Sequence, residues 1–146
     1  MAISFSGEFR VPRAREEVFD FLTDPNRFGP LLPDFEGLSV QDERNFSVKL
    51  KVGVSHIRGT ASVKLQLVEA DRPRRALYRG KGSLAGGYLD LSAGFDLDGD
   101  SQETRVRWSG QAQISGRLIS IAGGLLEPLA KKNLQKLIDA LQQALS

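Results

Sequence analysis

The chain has no cysteine and only one histidine, one tryptophan and one methionine in 146 residues. Without cysteine there can be no disulfide, thiolate nucleophile or sulfur-ligated metal, and the compartment stays open on that count. The sole histidine, His56, has no neighbouring ligands with which to build a zinc site. It also has no nearby carboxylate to orient it as a general base, so it reads most simply as a loop residue. Long apolar runs are missing as well. Nothing approaches the roughly 20 apolar residues that a bilayer span requires, and the opening MAISFSGEFRV lacks the apolar core of a signal peptide. The expectation is a soluble, cytoplasmic protein with no membrane anchor of its own. The formal net charge is only +2. The excess is scattered between a knot at Arg72, Arg74 and Arg75 and helix positions Lys131, Lys132 and Lys136. Neither group is interleaved with aromatics, which argues against nucleic-acid binding.

What is present is periodicity. Ile3, Phe5, Gly7, Phe9 and Val11 alternate with polar residues, which predicts a half-buried strand. Val18, Phe19, Phe21 and Leu22 then take helical spacing until Asp24-Pro25 stops them. Asp24 is placed to cap a second short helix through Phe28, Leu31 and Leu32. From Gly37 onward the pattern is strand after strand: Leu38 to Val40, Phe46 to Val54, Ala61 to Leu67, Leu77 to Leu84, Leu89 to Leu97 and Val106 to Ile114. Clean alternation gives each strand one wet and one dry face, so the sheet is antiparallel and covered on one side. The cover is a long amphipathic helix over Arg117 to Ser146, with apolar residues at i, i+3, i+4 spacing. The order is β-α-α-β6-α, an α+β domain over residues 1–146 with a curved antiparallel sheet of about seven strands.

Two chemical motifs weaken on inspection. Asp96, Asp98 and Asp100 suggest a calcium loop, but Gly99 is at the wrong place and strands flank it, so an acidic hairpin turn fits better. The stretch RGKGSLAGG has Lys81 followed by Gly82 and then a strand, whereas a phosphate-binding loop runs Gly-Lys-Ser/Thr into a helix. These glycines suit a bulged strand and hairpin instead. No metal or cofactor is expected.

The last helix contains an anomaly. Gly123-Gly124 precede Pro128, which removes a backbone donor and costs about 3 kcal/mol in a straight helix. Either two helices abut, with Pro128 in the first turn of the second, or the first half, Leu118 to Leu126, is a kinked lid.

In this order GEFRVPRAREEVFDFLTDP, VGVSHIRGTASVKLQLVEADRPRR, YLDLSAGFDLDGD, ETRVRWSGQAQISGRL and the last helix resemble the helix-grip fold of the START-like (SRPBCC) superfamily. Within it the chain is similar to the CoxG-like family of carbon monoxide dehydrogenase subunits. Family members often carry a Cys and a Pro-Gly where this chain reads LLPDFEGL, and some continue into an apolar membrane-binding tail, whereas this chain stops at Ser146. The resemblance implies an accessory role beside a molybdenum hydroxylase-type oxidoreductase of the CO dehydrogenase kind.

One long helix on a curved sheet cannot easily fill the space beneath it, so the leading expectation is non-enzymatic binding of a lipophilic small molecule, quinone-like or lipid-like. The expected lining is Leu50, Val52, Val54, Val63, Leu65, Leu91, Phe95, Val106, Trp108, Leu118, Ile121, Ala122, Leu125 and Leu129, with Tyr78 and His56 as polar contacts. No catalytic residue is assigned. The alternatives are a polyketide cyclase or aromatase, which would need an acid or base among Tyr78, His56 and Arg58, and a structural interaction protein with a filled core.

Overall fold

A computed structural model describes the chain from Met1 to Ser146, apart from residues 55, 56 and 85 and the side chains of Val54 and Ile57. Strand β1 (Ala2–Val11) leads into helix α1 (Arg15–Leu22), short helix α2 (Pro25–Phe28) and a 3-10 turn over Gly29–Leu31. Six strands follow, β2 (Phe35–Val40), β3 (Asn45–Val54), β4 (Ile57–Asp71), β5 (Arg75–Leu84), β6 (Gly87–Gly99) and β7 (Thr104–Gly116), and the chain closes with α3 (Arg117–Ala144). This is the α+β order that the periodicity predicts and the helix-grip architecture that the resemblance implies.

Local chemistry sets the breaks. The Asp24 carboxylate accepts from the Asn26 backbone N–H at 3.0 Å, with Pro25 at the first helical position, where its missing N–H costs nothing. Asp100 accepts from the N–H groups of Gln102 and Glu103 at 2.8 and 2.9 Å, closing the β6–β7 turn. Those bonds hold its carboxyl below the usual carboxylate range. Asp100 is thus spent on a turn, while Asp96 and Asp98 lie on β6 and pair with Arg75 and Arg105.

The seven strands form one antiparallel sheet in the order β1-β7-β6-β5-β4-β3-β2. The first strand therefore pairs with the last, and α3 lies across β1, β6 and β7. Much of the inner face of β3 and β4 is covered elsewhere: Phe46, Val48 and Val63 are buried with Phe28 and Leu32 packed against them, and Leu38 lies beside Val48 on β2. Two further apolar clusters bracket α3. One joins Phe9, Val11, Val18, Phe19, Phe95, Val106, Leu141 and Leu145. The other joins Ile3, Ile114, Leu118 and Ala122.

Helix α3 is interrupted, but not at Pro128. Ala122 has φ −140° and ψ 18°, outside the helical region, so a short segment before it meets a longer one after it. Pro128 lies beyond the first turn of that longer segment. Ala122 is buried against Ile3, Ile114 and Leu118, so packing fixes where the helix breaks.

Candidate functional site

Register makes the void. On the inner face Ala93 of β6 faces Tyr78 on β5 and Gly110 on β7, and Gly110 faces Phe5 on β1. In the next inward row Leu91 faces Gly80 on one side and Ala112 on the other. Ala93, Gly110 and Ala112 therefore form a patch of minimal side chains in mid-sheet, while larger residues at both ends prop α3 away from it. The result is a cavity of about 490 Å³ between sheet and helix, within the roughly 300–1,000 Å³ typical of small-molecule sites.

Phe9, Leu22, Phe95, Val106 and Leu141 bound one end of it, and Ile3, Ile114 and Leu126 the other. The helix supplies Leu129, Ala130, Asn133, Leu134, Leu137 and Ile138 as its roof. Among the described residues the lining contains no Asp, Glu, Lys, Arg or His. A charged guest would lose its hydration with no compensating partner, so the space suits neutral, mainly apolar molecules.

Tyr78, Trp108 and Asn133 are the polar residues at inward positions of the described wall, while Ser92, Ser109 and Gln111 border it from outward positions of β6 and β7. The Tyr78 hydroxyl donates to the Leu22 carbonyl at 2.8 Å, and its ring packs edge-on to Phe28 and Phe46. Burial first, and the Asp24 charge second, push its phenol well above the ordinary tyrosine value, so it stays protonated near neutral pH. Its donor is committed, which leaves the oxygen lone pair as an acceptor. Trp108 lies over Gly7, its strand partner. Its Nε1 is shut away from water with no acceptor among the described residues, an arrangement that costs about 1–3 kcal/mol. Asn133 brings a carboxamide, both donor and acceptor, into an otherwise apolar helix face.

Of the residues expected from sequence, Tyr78, Leu91, Phe95, Val106, Trp108 and Leu129 line the cavity. Val63 is buried with Phe46 and Val48, and Leu65 packs against that same cluster. Leu50, on β3, is half-buried outside the cavity wall. Leu118 and Ala122 are buried in the plug at one end, where Val52 also packs. Ile121 and Leu125 face outward, 56% and 46% exposed. Val54 pairs with Ile57 through its backbone, while its side chain, and the reading of His56 as a polar contact, lie outside the described residues. Sequence reasoning missed Ile3, Phe5 and Phe9 of β1, because pairing of the first strand with the last is not visible in alternation. It also missed the second half of α3. The signal there was Asn133, a single amide inside a stripe that is otherwise leucine, isoleucine and alanine.

The family model for CoxG, a carbon monoxide dehydrogenase subunit, matches residues 7–146. No curated protein matches. Among solved structures, a conserved protein from Geobacillus kaustophilus superimposes with a TM-score of 0.85 at 17% identity, covering 98% of this chain and 95% of that one. The Zhui aromatase/cyclase from a Streptomyces gives 0.72 at 16% identity, over 99% and 93% of the two chains. A START superfamily protein from Mycobacterium smegmatis gives 0.72 at 11% identity, over 97% and 96%. At these identities the likeness is one of fold.

Proposed function

The chain belongs to the CoxG family of carbon monoxide dehydrogenase subunits, and from that premise we propose that it is a non-enzymatic binding protein for a neutral lipophilic molecule of the quinone or isoprenoid kind. The guest occupies the space between β1, β5–β7 and the second half of α3. One observation carries this reading: a cavity of about 490 Å³ whose described lining holds no ionised group. The hydrophobic effect then supplies the affinity, at about 25 cal/mol for each Å² of apolar guest surface removed from water. Asn133 and the Tyr78 oxygen supply orientation. A carbonyl on the guest accepts from the Asn133 amide, and a hydroxyl donates to Tyr78, whose own proton is held by Leu22.

The family name further suggests that the protein serves a molybdenum-containing CO dehydrogenase-type oxidoreductase, carrying such a molecule to or from it. A cyclase or aromatase reading has less to work with. The titratable group among the described lining residues is Tyr78, a phenol whose proton is engaged and whose pKa is raised, which makes it a poor proton donor or acceptor at neutral pH.

Native mass spectrometry of protein purified without detergent from its own source tests the proposal. A neutral apolar molecule bound one to one, and displaced by added short-chain quinone, is the expected result. Protein that stays ligand-free, and shows no change in tryptophan fluorescence on titration with that quinone, would overturn it.

A further inference from the structure

The face of the sheet turned away from α3 carries a second concavity, an open groove of about 720 Å³ crossing β4, β5, β6, β7 and β1. Two neighbouring rows of outward side chains line it. In one, Lys64 faces Lys81, Lys81 faces Asp90 and Asp90 faces Gln113. In the other, Gln66 faces Arg79 and Ser92 faces Gln111. Three cations thus stand against one carboxylate, and Asp90 reaches Lys81 at 3.9 Å. Among the described residues neither Lys64 nor Arg79 has a carboxylate within ion-pairing distance. Lys49 and Lys51 continue the positive field along β3, opposite Ser62 and Thr60.

Like charges directly opposed across a strand pair are destabilising. Lys64 opposite Lys81 therefore costs the free protein stability, and an anion laid between them would remove that cost. We propose that this groove docks an extended, acidic segment of a protein partner. Five strands at about 4.8 Å spacing span roughly 20 Å, the length of about six extended residues. The glutamine side chains can both donate to and accept from a peptide backbone, while Lys64, Arg79 and Lys81 meet its carboxylates. A concave surface matches a chain segment better than a flat bilayer. Among the described residues the groove has no aromatic on which a nucleic-acid base could stack. This surface lies on the opposite side of the sheet from the cavity, so it stands whether or not the cavity holds a quinone.

Binding of a fluorescein-labelled hexaglutamate peptide to the full chain, followed by fluorescence anisotropy at low salt and at about 0.15 M, tests the assignment. Lys64→Glu/Lys81→Glu is expected to weaken binding by about tenfold or more. Lys131→Glu/Lys132→Glu, the same change in net charge on the exposed surface of α3, should leave it within about twofold. Arg79→Gln serves as a milder variant if the double reversal misfolds, with a loss of about threefold or more expected. The single variant Lys64→Glu should raise the melting temperature, because it turns a repulsive cross-strand pair into an attractive one. Equal losses in both double variants, absence of peptide binding, or tighter binding to phosphatidylglycerol vesicles or to single-stranded DNA than to the peptide would each overturn the proposal.

Discussion

A β-carbon on Gly7 would lie 2.8 Å from Cζ2 of Trp108 and 3.3 Å from its Nε1. The indole rests on bare backbone at that point, and the first strand has glycine where its inward rhythm of Ile3, Phe5, Phe9 and Val11 would otherwise place a large residue. Glycine here is required for space rather than for an unusual backbone angle. It lets the largest side chain of the cavity wall lie flat and leave the interior open.

Gly7→Ala should therefore push the indole toward the cavity. Overpacking of this kind costs about 1–3 kcal/mol, and the displaced ring should also reduce affinity for a bound quinone. A lowered melting temperature together with a shifted Trp108 emission maximum is the expected result; the chain has one tryptophan, so the signal is unambiguous. An unchanged spectrum and an unchanged melting temperature would mean that the strand yields instead of the ring.

Tyr78 makes a prediction about pH. Its phenol is held above its ordinary value of 10.0, chiefly by burial, so the folded protein keeps the proton more tightly than the unfolded chain does. The resulting stability is complete below pH 10 and declines as pH rises past that value toward the folded pKa. Tyr78→Phe should abolish this alkaline component. At neutral pH it should cost about 1–2 kcal/mol, because the buried Leu22 carbonyl loses its donor. Urea unfolding of both proteins between pH 7 and 11 measures the two effects separately.

How much of this was legible in the chain follows from range. Alternation of period two and the i, i+3, i+4 stripe are local signals, and they gave the element order, the wet and dry faces and the Asp24 cap. The inward phase of Leu91, Phe95, Val106 and Trp108 followed from the same rhythm. What alternation cannot encode is which strands become neighbours. Val63 and Leu65 have a flawless inward phase, yet they pack with Phe28 and Leu32 rather than under α3, and Val52, equally in phase, meets the plug around Leu118 and Ala122 instead of the cavity. Nothing local to Ile3 and Phe5 says that β1 joins β7 and so comes to lie beneath the last helix.

The interrupted helix separates two causes that the sequence runs together. Pro128 and the glycines are neighbours in the chain, but the non-helical dihedrals fall at Ala122, six positions before the proline. Pro128→Ala should therefore leave the break in place and ligand exchange unaltered. It should add stability of up to about 3 kcal/mol by restoring the hydrogen bond to the Gly124 carbonyl. Gly124→Ala meets nothing within 4 Å and should stabilise the helix by about 0.5–1 kcal/mol. If quinone exchange, followed by stopped-flow fluorescence, slows in Pro128→Ala, the proline and not the Ala122 packing governs any opening.

The void itself rests on three small residues, and refilling them tests its purpose. Ala93 and Ala112 carry only a methyl into the cavity floor, and Gly110 carries nothing. A β-carbon at Gly110 would meet the Ser92 carbonyl at 3.7 Å and Ala93 Cβ at 3.9 Å, both ordinary contacts, so Gly110→Ala is sterically allowed. Natural packing leaves few spaces larger than a water molecule, and filling an empty apolar one gains about 0.8 kcal/mol for each buried CH₂. Ala93→Leu combined with Gly110→Ala adds four carbons to the floor and should raise the melting temperature of ligand-free protein by several degrees, as a gain of about 1–3 kcal/mol would. The same change should abolish quinone binding, because the guest and the new side chains compete for one volume. A protein that became less stable would show that the floor has no spare room. One that became more stable yet still bound the quinone with undiminished affinity would place the guest somewhere other than between Ala93 and Asn133.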